Sequence, residues 1–157
     1  MRGFAIRTLC VVGLLVGLSA VASAQGRAGC QAMTGEWAYT KTGTLLPPTG
    51  PIPYAAVGKF TVDPGGNISG SQDSSTGGTV VKNALIGTGT QETDCSVTAT
   101  IGVYDQTGTI LLRTAAMVWV VDDNGREARG IVTQLTLGNG AVVPQVITAV
   151  SRRVARR

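Results

Sequence analysis

Apolar and polar residues alternate two by two along most of the chain after its first 24 residues. In "YAAVGKFTVD", Tyr54, Ala56, Gly58, Phe60 and Val62 fall on one side, with Lys59, Thr61 and Asp63 on the other. In "SVTATIGVY", Val97, Ala99, Ile101 and Val103 oppose Ser96, Thr98 and Thr100. A period of two is the signature of half-buried strands, and no stretch carries a helical stripe. The pattern predicts strands over Gly35–Lys41, Tyr54–Asp63, Asn67–Ser74, Thr79–Gly87, Thr88–Glu92, Ser96–Tyr104, Thr109–Val121, Arg126–Leu137 and Ala141–Ser151. The fourth and fifth can merge, so eight or nine strands are expected.

Short turns separate them: "DPGGN" at Asp63, "DQTG" at Asp105, "DDNG" at Asp122 and "GNG" at Gly138. Asp and Asn bond their own backbone there and Gly tolerates positive φ, so consecutive strands should form hairpins. The Pro-rich "TLLPPTGPIP", Thr44 to Pro53, cannot be a central strand and reads as the one long loop. Eight or nine antiparallel strands with one apolar face and no helix to cover it must close or fold into a sandwich. Meander order favours an all-β, antiparallel up-and-down barrel, wide enough at eight strands for side chains or one small ligand.

Two segments break the pattern. "AAMVWVV", Ala115 to Val121, is apolar on both faces. Met117 and Trp119 share phase with the charged Arg113, which places them outward, as an interface for self-association or another protein; a phase-swapping β-bulge is the competing reading. Pro144 inside the last strand argues for a local bulge.

Residues 1–24 read as an export signal, with Arg2 and Arg7, the apolar "LCVVGLLVGL" and the small-residue "ASA" at Ala22 to Ala24. The apolar run is too short for a spanning helix. A barrel domain over residues 25–151 and a basic tail over 152–157 complete the expected organisation, for a secreted or periplasmic protein. Of 13 Lys and Arg residues, four lie in "SRRVARR" at the end, so the body carries no basic stripe of the kind that binds nucleic acid. Cys30 and Cys95 remain after cleavage, and an isolated pair in an oxidising compartment is most simply a disulfide.

The chain has no His, which excludes Ser-His-Asp and Cys-His catalysis and leaves a poor metal site. Most of its nine acidic residues sit at turns, and Glu36, in mid-strand, points opposite Trp37. No catalytic set, metal or cofactor is expected. The inward aromatics Trp37, Tyr39, Tyr54 and Phe60 are the candidate ligand contacts, Tyr39 foremost because a buried hydroxyl must find a partner.

Gly35-x-Trp37 on the first strand, the hairpin "VGKFTVDPGGNISGSQDSS" and the order of strands resemble the calycin superfamily of lipocalin-like and avidin-like barrels. "TDCSVTAT", Thr93 to Thr100, with an earlier Cys, is similar to small exported bacterial barrels. The resemblance implies that Trp37 closes one end and that Arg152 or Arg153 packs on it. It also implies binding of a small, mostly apolar ligand. The alternatives are a protein-binding module, inhibitor-like or self-assembling, and a calycin-type cyclase or isomerase, which has no positive support in these residues.

Overall fold

The computed structural model describes residues 30–122 and 124–155. The expected export signal, Asp123 and the last two arginines lie outside these residues. Eight strands, β1 (Gly35–Leu45), β2 (Ile52–Val62), β3 (Asn67–Thr76), β4 (Thr79–Gln91), β5 (Ser96–Tyr104), β6 (Leu111–Val121), β7 (Glu127–Leu137) and β8 (Gln145–Arg153), form one closed barrel. Each strand pairs antiparallel with the next, and β8 returns to β1 with Trp37 opposite Arg153 and Leu45 opposite Gln145. The all-β, up-and-down barrel read from the alternation is the fold of the protein.

Strand ends differ from the sequence reading in instructive places. Thr79–Gln91 is one strand, since Gly87 and Gly89 stay in register opposite Ile101 and Ala99. β1 runs on to Leu45, which reduces the Pro-rich loop to residues 46–51. β8 starts at Gln145, after Pro144, because a residue without an N–H is more easily left outside the ladder than bulged within it. β8 also continues through Arg152 and Arg153, which therefore belong to the barrel wall and not to a tail.

Met117 and Trp119 face inward, each 1% exposed, and the outward interface expected of them is not formed. The phase relation to Arg113 holds, but it is Arg113 that lies inside. The assumption that a charged side chain marks the wet face failed at this position. An irregularity between β6 and β7 at Ala116 and Met117, where Thr133 has no partner, leaves the phase of β6 unchanged.

The turns behave as their chemistry requires. Asp63 accepts from the backbone N–H of Gly65 and Asn67, both at 2.8 Å, and Asp122 from Arg126 and Glu127. At Gly66, φ is +81° and an added Cβ would stand 2.3 Å from the Gly89 carbonyl oxygen, so no other residue fits. Asp105, bonded by the N–H of Ile110, the Thr107 hydroxyl and the N–H of Thr109, is held down to about 2 by those donors.

Candidate functional site

The two halves of the barrel interior differ in kind. The end at which β1 begins holds the aromatic core: Trp37, Phe60, Leu85, Ile101, Met117 and Trp119 are all buried. Phe60 stacks at a tilt between Tyr39, at 5.7 Å, and Trp119, at 6.3 Å. The segment from Cys30 to Thr34 lies over this end, joined to the β4–β5 turn by the Cys30–Cys95 disulfide. The Trp37 indole N–H donates to the Met33 carbonyl at 2.9 Å. Arg153 lies over the Trp37 ring at 4.7 Å and donates to the carbonyls of Ala32, Thr34 and Gly125. Trp37 is thus a structural plug with an arginine lid. A hollow of about 310 Å³ remains on this end between Met33, Phe60, Ile68, Trp119 and the Asp63–Gly66 turn.

Toward the other end the interior turns polar. Tyr39 donates to Gln72 Oε1 at 2.7 Å, Ser74 donates to Asn83 Oδ1 at 2.9 Å, and Asn83 Nδ2 donates to the Tyr104 carbonyl at 3.1 Å. Gln72 Nε2 reaches Asn83 Oδ1 at 3.5 Å, and Arg113 Nη2 donates to Ser74 at 3.3 Å. Gln72, Ser74 and Asn83 are each no more than 2% exposed. Such a network rigidifies an interior only when its members satisfy one another, which these do.

Above the network lies a cavity of about 160 Å³, walled by Val103, Ala115, Val132, Leu135 and Ile147 with Lys41, Tyr54 and Arg113. Lys41 is only 5% exposed and sits on the second inward position after Trp37. Its neighbours across the ladder, Ala56 and Ala149, are small and leave room for its stem. Gly43 stands between Lys41 and the rim. A Cβ there would meet the Val146 carbonyl at 2.0 Å, so the next inward position of its own strand adds no side chain against the lysine.

Two aromatic faces receive the cations: Lys41 Nζ lies 5.0 Å from the Tyr39 ring and Arg113 Cζ 5.5 Å from the Tyr54 ring. Burial, reinforced by the charge of Arg113, pulls the Lys41 ammonium down to about 8. Burial, and then Tyr54, raise the Tyr39 phenol far above its ordinary range, against a smaller opposing pull from Arg113; the hydroxyl is a neutral donor at any ordinary pH.

Of the four aromatics expected to touch a ligand, only Tyr54 lines this cavity. Tyr39 sits below it in the polar network, Phe60 borders the opposite hollow, and Trp37 serves as the plug. Sequence reasoning passed over Lys41, Gln72, Ser74, Asn83 and Arg113. Their signal was present: each is a polar residue at an inward position, as counting by twos from Trp37, Ile68, Leu85 and Trp119 shows. The described residues contain no group of three or more His, Cys, Asp or Glu placed to hold a metal, and no helix long and apolar enough to cross a membrane.

No family model matches the chain, and no curated protein matches it. Among solved structures, that of EF1p2_mFAP2b bound to DFHBI is similar, with a TM-score of 0.54 and 14% identity over 78% of this chain and 94% of that one. At that identity the likeness is one of fold.

Proposed function

We propose that the protein is an exported barrel that holds one small, mostly apolar molecule in the cavity above its polar network. The observation that carries this reading is the cavity itself. A barrel whose aromatic half already supplies a packed core could have closed this cavity with a larger side chain at Ala115, yet about 160 Å³ stays open between apolar walls and convergent polar groups. That combination is the usual form of a small-molecule site. The similar barrel bound to DFHBI adds that this architecture can accommodate such a ligand. The burial of Met117 and Trp119 removes the feature that favoured a protein-docking role.

Val132→Phe tests the site by filling it. The barrel should stay folded by circular dichroism, and native mass spectrometry of protein from its own host should show a retained small molecule in the wild type and none in the variant. Equal retention in both proteins would place the ligand elsewhere, and no retained species together with no stabilising compound in a thermal-shift screen would end the reading. Export is tested separately. Protein recovered from outside the cytoplasm should show no free thiol at Cys30 or Cys95 after denaturation, and reactive thiols at both would contradict it.

A further inference from the structure

We propose that the molecule held in this cavity is a small organic carboxylate, its charge met by Lys41 and Arg113 and its apolar body by Val103, Val132, Leu135 and Ile147. This rests on the cavity being a ligand site at all. The sign of the ligand follows from what the interior lacks. The three ion pairs among the described residues, Lys59–Glu36, Arg129–Glu127 and Arg152–Glu127, lie on the outer face. No acidic side chain is buried among the described residues, so Lys41 and Arg113 share the interior there with each other and no counter-charge. An uncompensated buried cation costs several kcal/mol. A barrel selected only for stability would carry an apolar residue at position 41.

The hydrogen bonds point the same way. The acceptors of the network are spoken for: Gln72 Oε1 takes the Tyr39 hydroxyl, and Asn83 Oδ1 takes Ser74 and Gln72. Two buried acceptors, Gln145 Oε1 and Ser151 Oγ, have no partner among the described residues, but neither residue borders this cavity, where donors are in surplus. Lys41 makes no hydrogen bond among the described residues and is held only over the Tyr39 ring, while Arg113 commits one N–H to Ser74. The missing partner is therefore an acceptor with negative charge, which a guanidinium can take through two parallel bonds. The walls argue against a bare inorganic anion, since they would strip its hydration and offer nothing in return.

Size narrows the class further. An apolar cavity of about 150 Å³ is known to hold benzene. About 160 Å³ thus suits a carboxylate on a single ring or a short branched chain, and excludes a long acyl chain held entirely inside.

The test uses full-length wild type, Lys41→Met and Arg113→Met, with benzoate as the probe carboxylate, benzamide as its neutral counterpart of the same shape, and inorganic phosphate. Calorimetric titration at pH 7 should show benzoate binding to the wild type at least tenfold more tightly than benzamide, with phosphate weaker than either. Each variant should lose at least tenfold more in benzoate affinity than in benzamide affinity. Lys41→Met leaves an apolar side chain of similar length in place, and a native circular dichroism spectrum with measurable benzamide binding certifies the fold and cavity in either variant. Equal binding of benzoate and benzamide by the wild type, or benzoate binding that survives both substitutions, overturns the carboxylate assignment and leaves small-molecule binding standing. Phosphate binding more tightly than benzoate would assign the cations to an inorganic anion and overturn it as well. If the wild type binds none of the three and native mass spectrometry finds no retained molecule, small-molecule binding fails first and this proposal with it.

Discussion

Lys41→Met is expected to make the ligand-free barrel more stable than the wild type at pH 7, by about 2 kcal/mol. The size follows from the lysine's displaced titration, from 10.5 in an unfolded chain to about 8 in the barrel. At 1.36 kcal/mol for each pH unit the full displacement is worth about 3 kcal/mol, and relaxation around a buried charge takes part of that back. Below pH 8 both the folded and unfolded chains hold the proton, so the folded state bears the whole cost of the buried ammonium. Between 8 and 10.5 the unfolded chain binds the extra proton, and stability rises with pH.

Tyr54 on β2, Arg113 on β6 and Ile147 on β8 border the cavity with the lysine, and its ladder partners Ala56 and Ala149 carry no charge. Tyr39, with a phenol raised by burial, acts in the opposite sense, since its stabilising contribution is lost as pH climbs past 10. Urea unfolding from pH 7 to 10 is therefore the clean window. The wild-type midpoint should climb across its upper two units and that of Lys41→Met should stay level. A variant less stable than the wild type at pH 7 would mean that the cation is compensated in the free barrel, which would remove the reason for inferring an anionic ligand.

The same lysine shows where sequence reasoning loses its grip. Alternation, turn residues and the lack of helical stripes sufficed for eight or nine strands and their order, because each of those signals is local: a two-residue period, an Asp that bonds its own turn, a Gly with positive φ. The plug came from the family resemblance instead, which implied Trp37 with Arg152 or Arg153, and closure of β1 on β8 sets Arg153 opposite Trp37. Which face is inside is a different kind of question. On β6, Met117, Trp119 and Arg113 share a phase, and the sequence offers two ways to orient it. The ordinary preference of charge for water chose the wrong one, since two indole- and thioether-sized side chains outweigh a single guanidinium that can lie over Tyr54. Counting by twos marks the inward polar positions on the other strands, but not what they bond. What Gln72, Ser74 and Asn83 bond is not visible until the strands are brought into register, Gln72 opposite Asn83 and its Oε1 under the Tyr39 hydroxyl.

Removing the disulfide and the arginine lid should each weaken the barrel, and removing both should weaken it by less than the sum. Cys30 and Cys95 are 65 residues apart in sequence, and opening a loop of that length restores about 4 kcal/mol of chain entropy to the unfolded state by loop-closure reasoning. Cys30→Ser with Cys95→Ser is expected to lose 3 to 4 kcal/mol, on the order of that term. Arg153→Met gives up three charge-assisted bonds to carbonyls and the contact with the Trp37 face, for an expected loss of about 2 to 3 kcal/mol. Two of those carbonyls, Ala32 and Thr34, belong to the segment that the disulfide tethers. Once that segment is released, Arg153 has lost most of what it holds. The combined variant should therefore fall short of additivity by at least about 1 kcal/mol in urea unfolding, the range found for residues that share a partner. Tryptophan emission reports the same event: the Trp37 indole N–H donates to Met33 in this segment, so emission should shift to the red in the disulfide variant before global unfolding. Strict additivity with unshifted emission would mean that β1 and its plug stand without the covering segment, and that the disulfide acts on the unfolded chain alone.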